Sequence, residues 1–106
     1  MTEPVLDLSE IVGMYKEDAR RSVSQMRTAV ENWDQIVTDG PARQEIRKLS
    51  HQLRGSGRTY GFRDVSRVAK AMEHAIILLQ SNRVDADDRL RKCLTGWIER
   101  LADIFR

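Results

Sequence analysis

Hydrophobic residues recur three or four positions apart along most of the chain, which is the spacing of amphipathic helices. The spacing predicts four helical segments: Leu8 to Val37, about Pro41 to Arg58, Val65 to Leu79, and Leu90 to Phe105. Amphipathic helices joined by short connections pack as antiparallel neighbours. We therefore expect an all-α fold, an antiparallel up-down four-helix bundle, with room for a short extra turn at the N-terminus.

Polar residues, glycines and prolines mark the limits of these segments. Asp7 followed by Glu10 resembles a capping box that opens the first helix. Gly40 and Pro41 combine a stop signal with the residue favoured in the first turn of the next helix. Gly61 is expected to end the second helix, and residues 81–85 are expected to form a polar connection before the fourth helix.

The length and composition fit a single globular domain over residues 1–106. Hydrophobic residues make up 41% of the 106 residues and charged residues 32%, which argues against disorder. The single cysteine, Cys93, excludes an internal disulfide framework and lies on an apolar stripe, so we expect a buried thiol. The longest apolar run, Ala75 to Leu79, is too short to cross a membrane, and no signal peptide is recognised. A cytoplasmic protein is expected.

The second segment separates an apolar face from a basic one. At 100° per residue, Ile46, Leu49, Leu53 and Tyr60 fall within roughly 60° of one another and should face the core. A second arc, about 80° wide and centred roughly 130° away, contains one histidine and four arginines: Arg43, Arg47, His51, Arg54 and Arg58. His51 should therefore point to solvent at the edge of a basic stripe.

Periodicity alone leaves the role of this stripe open. A neutral imidazole is a competent nucleophile, and nearby guanidinium groups could neutralise phosphoryl oxygens or attract an acidic partner. An exposed histidine is as often a solvated side chain, and a basic stripe can be a solvated face or a nucleic-acid-binding patch. Gly55 lies one turn from His51, where it costs helix stability but removes a side chain that would obstruct a partner.

Residues 51–62, with the sequence HQLRGSGRTYGF, resemble a known family signature. The run is similar to the His-x-Leu-Lys-Gly-Ser motif of histidine-containing phosphotransfer (HPt) domains. Its Gly-x-Thr-aromatic-Gly-Phe ending is most similar to the phosphotransfer domains of chemotaxis-type histidine kinases. The resemblance implies that His51 accepts a phosphoryl group on Nε2 and exchanges it with an aspartate of a receiver domain.

The resemblance also implies roles for the residues around His51. Arg54 occupies the position of the family's lysine and would contact the phosphoryl oxygens. Glu73 matches a glutamate that hydrogen-bonds the other imidazole nitrogen, although an ordinary flanking salt bridge is an equally open interpretation. Gly55 would leave clearance for the docking partner, with Arg47 and Arg58 beside it on the docking surface.

The expected partner is the receiver domain of a response regulator or of a hybrid histidine kinase. The sequence has no nucleotide-binding loop and no acidic Mg²⁺ cluster, so we expect a phosphocarrier without autonomous kinase activity and without a bound cofactor. Mg²⁺ is expected on the receiver, and the chain is expected to be a monomer that binds neither membrane nor nucleic acid. His51 and His74, 23 positions apart, lack the spacing of metal ligands, and His74 should be solvated. The alternatives are a helical docking module that is not phosphorylated and a nucleic-acid-binding helical domain.

Overall fold

A computed structural model describes residues 7–106, and helices account for nearly all of them. No strand occurs in this range, and none of its helices is long and apolar enough to span a membrane. The elements are α1 (Leu8–Glu31), α2 (Trp33–Val37), α3 (Pro41–Thr59), α4 (Arg63–Gln80) and α5 (Asp88–Ile104). The expected all-α class is confirmed, whereas the extra N-terminal turn lies outside the described residues.

The four long helices form a bundle with one helix at each corner. α3 packs against α1 and α4, and α5 completes the arrangement by packing against the same two helices. Contacts between α1 and α5 run in opposite sequence directions: Arg20 Nε donates to Phe105 O at 2.6 Å, while Arg27 pairs with Glu99. Adjacent helices are therefore antiparallel, as short connections require.

The core is built from the apolar stripes of all five helices. Its largest fully buried side chains are Phe105, Met26, Ile36, Ile46, Met72, Ile76, Leu94, Ile98, Leu101 and Val65. Helices α1 and α5 each begin with an aspartate N-cap. The side chain of Asp7 accepts a hydrogen bond from the Glu10 amide, and that of Asp87 accepts one from the Leu90 amide. These caps set the first residues of α1 and α5, and therefore the starting points of the apolar faces of those two helices.

The first predicted segment is interrupted, so its expected continuity to Val37 was wrong. Asn32 leaves helical geometry with φ −85° and ψ 56°, and its amide bonds back to Thr28 O and Ala29 O. The chain then restarts as the short helix α2, which buries Ile36 completely. The apolar spacing continues through the break because α1 and α2 both cover the same core. Spacing along the sequence does not reveal that the chain changes direction between them.

α2 and α3 cap each other through side chains. The Gln35 Oε1 atom accepts from the Ala42 amide in the first turn of α3 at 3.0 Å. In return, Arg43 Nε donates to Ile36 O at 2.6 Å and Arg43 Nη2 donates to Val37 O at 3.0 Å. Arg43 is consequently buried, and its expected place on the exposed basic stripe was wrong, because its guanidinium satisfies carbonyl groups that end α2.

α3 and α4 approach each other closely near their connection. A Cβ atom on Gly57 would lie 3.0 Å from the Ser66 amide nitrogen and 3.1 Å from Phe62 O, so only glycine fits without movement. Gly61 has φ +82°, a left-handed conformation that reverses the chain between the two helices, at the predicted break. The tight turn brings the α3 basic stripe beside α4.

Two side chains predicted to face the core are more exposed than expected. Cys93 lies on the surface, because the α5 line of Leu90, Leu94 and Ile98 faces the core and Cys93 stands at its border. Tyr60 is 39% exposed and stacks on Tyr15 with ring centroids 4.4 Å apart. The expectation of a buried thiol was therefore wrong, and Tyr60 packs at the rim of the core.

Candidate functional site

The His51 imidazole stands on the exposed face of α3 and is held from one side. Its side chain is 74% exposed, and Nδ1 lies 2.5 Å from Glu73 Oε2 on α4. The contact bridges the two helices that approach each other at Gly57. The ring is therefore accessible to another molecule and yet restrained in orientation by a second helix.

Glu73 is the buried centre of this arrangement. Its side chain is only 7% exposed, and its second oxygen, Oε1, accepts from Arg54 Nη1 at 2.8 Å. Burial favours the neutral acid and is the largest single influence on the pKa of Glu73. The hydrogen bonds and positive charges of Arg54 and His51 together outweigh it, so the pKa lies below the usual range of a glutamate.

The charge of Glu73 determines which nitrogen of the imidazole carries the proton. A carboxylate can only accept hydrogen bonds, so the short contact requires His51 Nδ1–H to donate to Glu73 Oε2. In the neutral ring, Nε2 then carries the lone pair. Nε2 has no hydrogen-bond partner in the part of the chain that the structure describes. The free nitrogen is therefore the nucleophilic one.

Arginine side chains of α3 flank His51 on both sides along the helix. Arg54 is 42% exposed, and Arg58 is exposed further along α3. One turn before the histidine, Arg47 Nη1 donates to Gln80 Oε1 of α4 at 2.7 Å. An incoming group with negative charge would thus meet guanidinium groups on both sides of the imidazole along the helix axis.

The side of His51 that faces α1 is open. A Cβ atom on Gly55 would have no heavy atom of residues 7–106 within 4 Å outside its own helix backbone. Beside it, a groove of about 530 Å³ between α1 and α3 has a mixed lining that includes Ile11, Met14, Gln52, Ser56 and Tyr60. A protein partner can therefore approach the imidazole over Gly55 without meeting a side chain there.

No group of three or more potential metal ligands occurs among residues 7–106, so the described part of the chain offers no ready-made metal site. The sequence matches the family model described as the Hpt domain over residues 10–104, which covers most of the chain. The chain belongs to the Hpt domain family. Comparison with curated proteins gave no match, and neither did comparison with solved structures.

Membership of the Hpt family defines the general activity. Hpt domains take part in histidine phosphotransfer within phosphorelays, interact with receiver domains, and are in general phosphocarriers and not enzymes. The five described helices fit the helical bundle of this family, with α2 as a short addition between two long helices. The particular resemblance to chemotaxis-type kinases remains an expectation from the motif.

The structure brings together residues that sequence reasoning named and adds two that it missed. His51, Arg54 and Glu73 form one hydrogen-bonded group, and His74 is exposed without joining it. Gln80 was missed, although its position seven residues after Glu73 places both on one face of α4. Ser66 was missed as well, and its hydroxyl donates to Arg54 O at 2.8 Å, which ties α3 to α4 below the histidine.

Proposed function

We propose that His51 of this Hpt domain carries a phosphoryl group on Nε2 between a kinase or receiver aspartate and another receiver domain. The observation that carries the proposal is the contact between His51 Nδ1 and the carboxylate of Glu73. It leaves the lone pair on Nε2, the nitrogen without a partner among residues 7–106. An exposed histidine without such a restraint would have no fixed nucleophilic nitrogen.

The transfer step balances without a proton leaving the ring. The Nε2 lone pair attacks the phosphorus of an aspartyl phosphate, the N–P bond forms, and the P–O bond to the aspartate breaks with its electron pair on the carboxylate. The ring then has a substituent on Nε2 and a proton on Nδ1, and Glu73 stabilises the positive charge that develops. In the reverse step an aspartate oxygen attacks phosphorus and the electron pair returns to Nε2.

The neighbouring residues support this step in different ways. Arg54 has one N–H engaged by Glu73, and the other donors of its guanidinium are available to phosphoryl oxygens. Gly55 leaves room for the receiver, while Arg47 and Arg58 provide positive charge for docking against its acidic active site. The Hpt domain needs no metal of its own under this proposal, because the receiver supplies Mg²⁺ along with the aspartate.

The test is phosphoryl transfer from a panel of phosphorylated receiver domains. We expect one phosphoryl group per chain, labile in acid and stable in base, as for an N–P bond. His51→Gln should stay folded, since the side chain is exposed, and should accept none. His74→Gln is the matched control, because it removes the other exposed histidine and should leave labelling unchanged.

Undiminished labelling of His51→Gln would overturn the assignment of the phosphorylated residue. A folded wild-type protein that binds receivers but accepts no phosphoryl group from any of them would instead indicate the docking module without phosphorylation. Circular dichroism of both variants provides the check on folding.

A further inference from the structure

Two arginines of α3 reach across to α4, one turn on either side of His51. Arg54, three residues after the histidine, donates to Glu73 Oε1 at 2.8 Å. Arg47, four residues before it, donates to Gln80 Oε1 at 2.7 Å. The two contacts have similar lengths, but one acceptor is a carboxylate and the other a neutral amide, and this difference gives the two arginines different roles.

The positive charge of Arg54 is largely compensated by the carboxylate of Glu73. Glu73 is buried and ionised, and it accepts from Arg54 and His51 at the same time. A phosphoryl group drawn towards Arg54 would also approach this carboxylate, and the two negative charges would repel each other. Arg54 therefore offers only part of its charge to a group on Nε2.

The charge of Arg47 is not balanced in this way. No carboxylate of residues 7–106 lies within salt-bridge distance of Arg47. The Gln80 amide restrains the guanidinium without neutralising it and occupies one N–H of five. The remaining donors form the planar fork that suits phosphoryl oxygens.

The direction of the imidazole also favours Arg47. Helical side chains lean towards the N-terminus of their helix, a tendency that favours a His51 ring directed towards the turn of Arg47 over one directed towards the turn of Arg54. Nδ1 points towards the Glu73 carboxylate, which Arg54 also contacts. Nε2, the other nitrogen, is thereby turned away from that carboxylate.

We propose that Arg47 contacts the phosphoryl group on Nε2 and that Gln80 is its positioning residue. The proposal rests on the phosphotransfer function proposed above and assigns Gln80, which has no place in the family motif, a role in the step. Arg54 then acts chiefly by keeping Glu73 ionised. This arrangement predicts that substituting Gln80 changes the rate of phosphoryl transfer only when Arg47 is present.

The experiment compares two phosphoryl donors. Potassium phosphoramidate transfers its phosphoryl group to a histidine with breakage of its P–N bond and loss of ammonia, and it involves no receiver surface. A phosphorylated receiver tests the same step with docking included. We expect Arg47→Ala to slow both reactions about ten- to a hundredfold and Gln80→Ala about two- to tenfold, the ranges for losing a charged and a neutral hydrogen bond.

Variant combinations separate positioning from other effects. The double variant Arg47→Ala/Gln80→Ala should be no slower than Arg47→Ala alone, because the two residues act as one unit. Gln80→Glu should keep Arg47 in place but cancel its charge, so it should slow the phosphoramidate reaction as well. Arg100→Ala and Gln25→Ala remove an exposed arginine on α5 and an exposed glutamine on α1, and serve as matched controls with unchanged rates.

Three results would overturn the proposal. One is an unchanged phosphoramidate rate in Arg47→Ala with slowed transfer from the receiver, which would make Arg47 a docking residue only. Another is an equal effect of Gln80→Ala with and without Arg47, and the third is a wild-type rate in Gln80→Glu. All three leave transfer from phosphorylated receivers to His51 of the wild-type protein intact, whereas failure of the proposed function would abolish that transfer.

Discussion

Replacing Gly55 should raise the stability of this Hpt domain while impairing its function. Gly55 lies inside α3, and a Cβ atom there would meet open space. Glycine within a helix costs about 0.5–1 kcal/mol relative to alanine, so Gly55→Ala should stabilise the fold by about that amount. For a domain of this size, 1 kcal/mol corresponds to about 4–8 °C in Tm. Gly55→Gln should give a somewhat smaller gain, because glutamine is a slightly weaker helix former.

The same open space is where we expect the receiver to pack. A glutamine side chain at position 55 would project into it beside His51, so transfer from a phosphorylated receiver should fall at least about tenfold, equivalent to about 1.4 kcal/mol. The phosphoramidate reaction, which needs no docking, should keep its rate. Thermal unfolding and the two labelling rates, measured on the same samples, give the three quantities required.

Gly96→Gln is the matched control for this prediction. Gly96 lies inside α5, has the same open surroundings, and is on a helix that does not pack against α3. It should show a similar gain in Tm with no change in transfer. If Gly55→Gln transfers as fast as Gly96→Gln, the receiver does not dock over this turn. If Gly55→Gln lowers Tm, the description of its surroundings as open is wrong.

Three further predictions follow from the contacts in and below the site. Arg54→Ala should slow transfer by less than Arg47→Ala does, and by no more than about tenfold, because Glu73 already shares the charge of Arg54. An effect equal to or larger than that of Arg47→Ala would contradict this. The pKa of Glu73 is lowered on folding, so its stabilising contribution is fully present above the usual carboxyl range and is lost as pH falls through the depressed pKa of the folded state. Wild type should therefore exceed Glu73→Gln in stability by most near neutral pH, and the difference should shrink as the pH falls below the usual carboxyl range. Gly57→Ala should lower Tm, because its Cβ would press on the Ser66 backbone at a cost of about 1–3 kcal/mol, and a raised Tm would show that α4 can move away.

The sequence by itself determined the class of fold and the residues of the central motif. Apolar spacing is a local property of a helix, so the four long helices could be predicted from it, and the glycines after the second helix predicted the turn at Gly61. The same periodicity predicted that His51 points away from the core, and the side chain is 74% exposed. The functional assignment depended on the motif around His51, because periodicity alone left several interpretations open.

The tertiary structure decided what the arginines do. Arg43, Arg47 and Arg54 share one basic arc of α3, yet the first is buried against the end of α2 and the other two reach different acceptors on α4. Helical periodicity gives the direction in which a side chain leaves its own helix. Which group it meets depends on the register of a neighbouring helix, and that register is set by close contacts such as Gly57 against Ser66.

The same reason explains the break at Asn32 and the exposure of Cys93. Both sides of the break present apolar residues to one core, so the pattern continues while the chain changes direction. Cys93 stands at the border of its stripe, where packing of α5 against α4 and α1 decides burial. Sequence thus determined which residues this chain could bring to a phosphotransfer site and left two interpretations of Glu73 open. The packing of α3 on α4 decided that Glu73 contacts the imidazole, and it alone showed that Gln80 contacts Arg47.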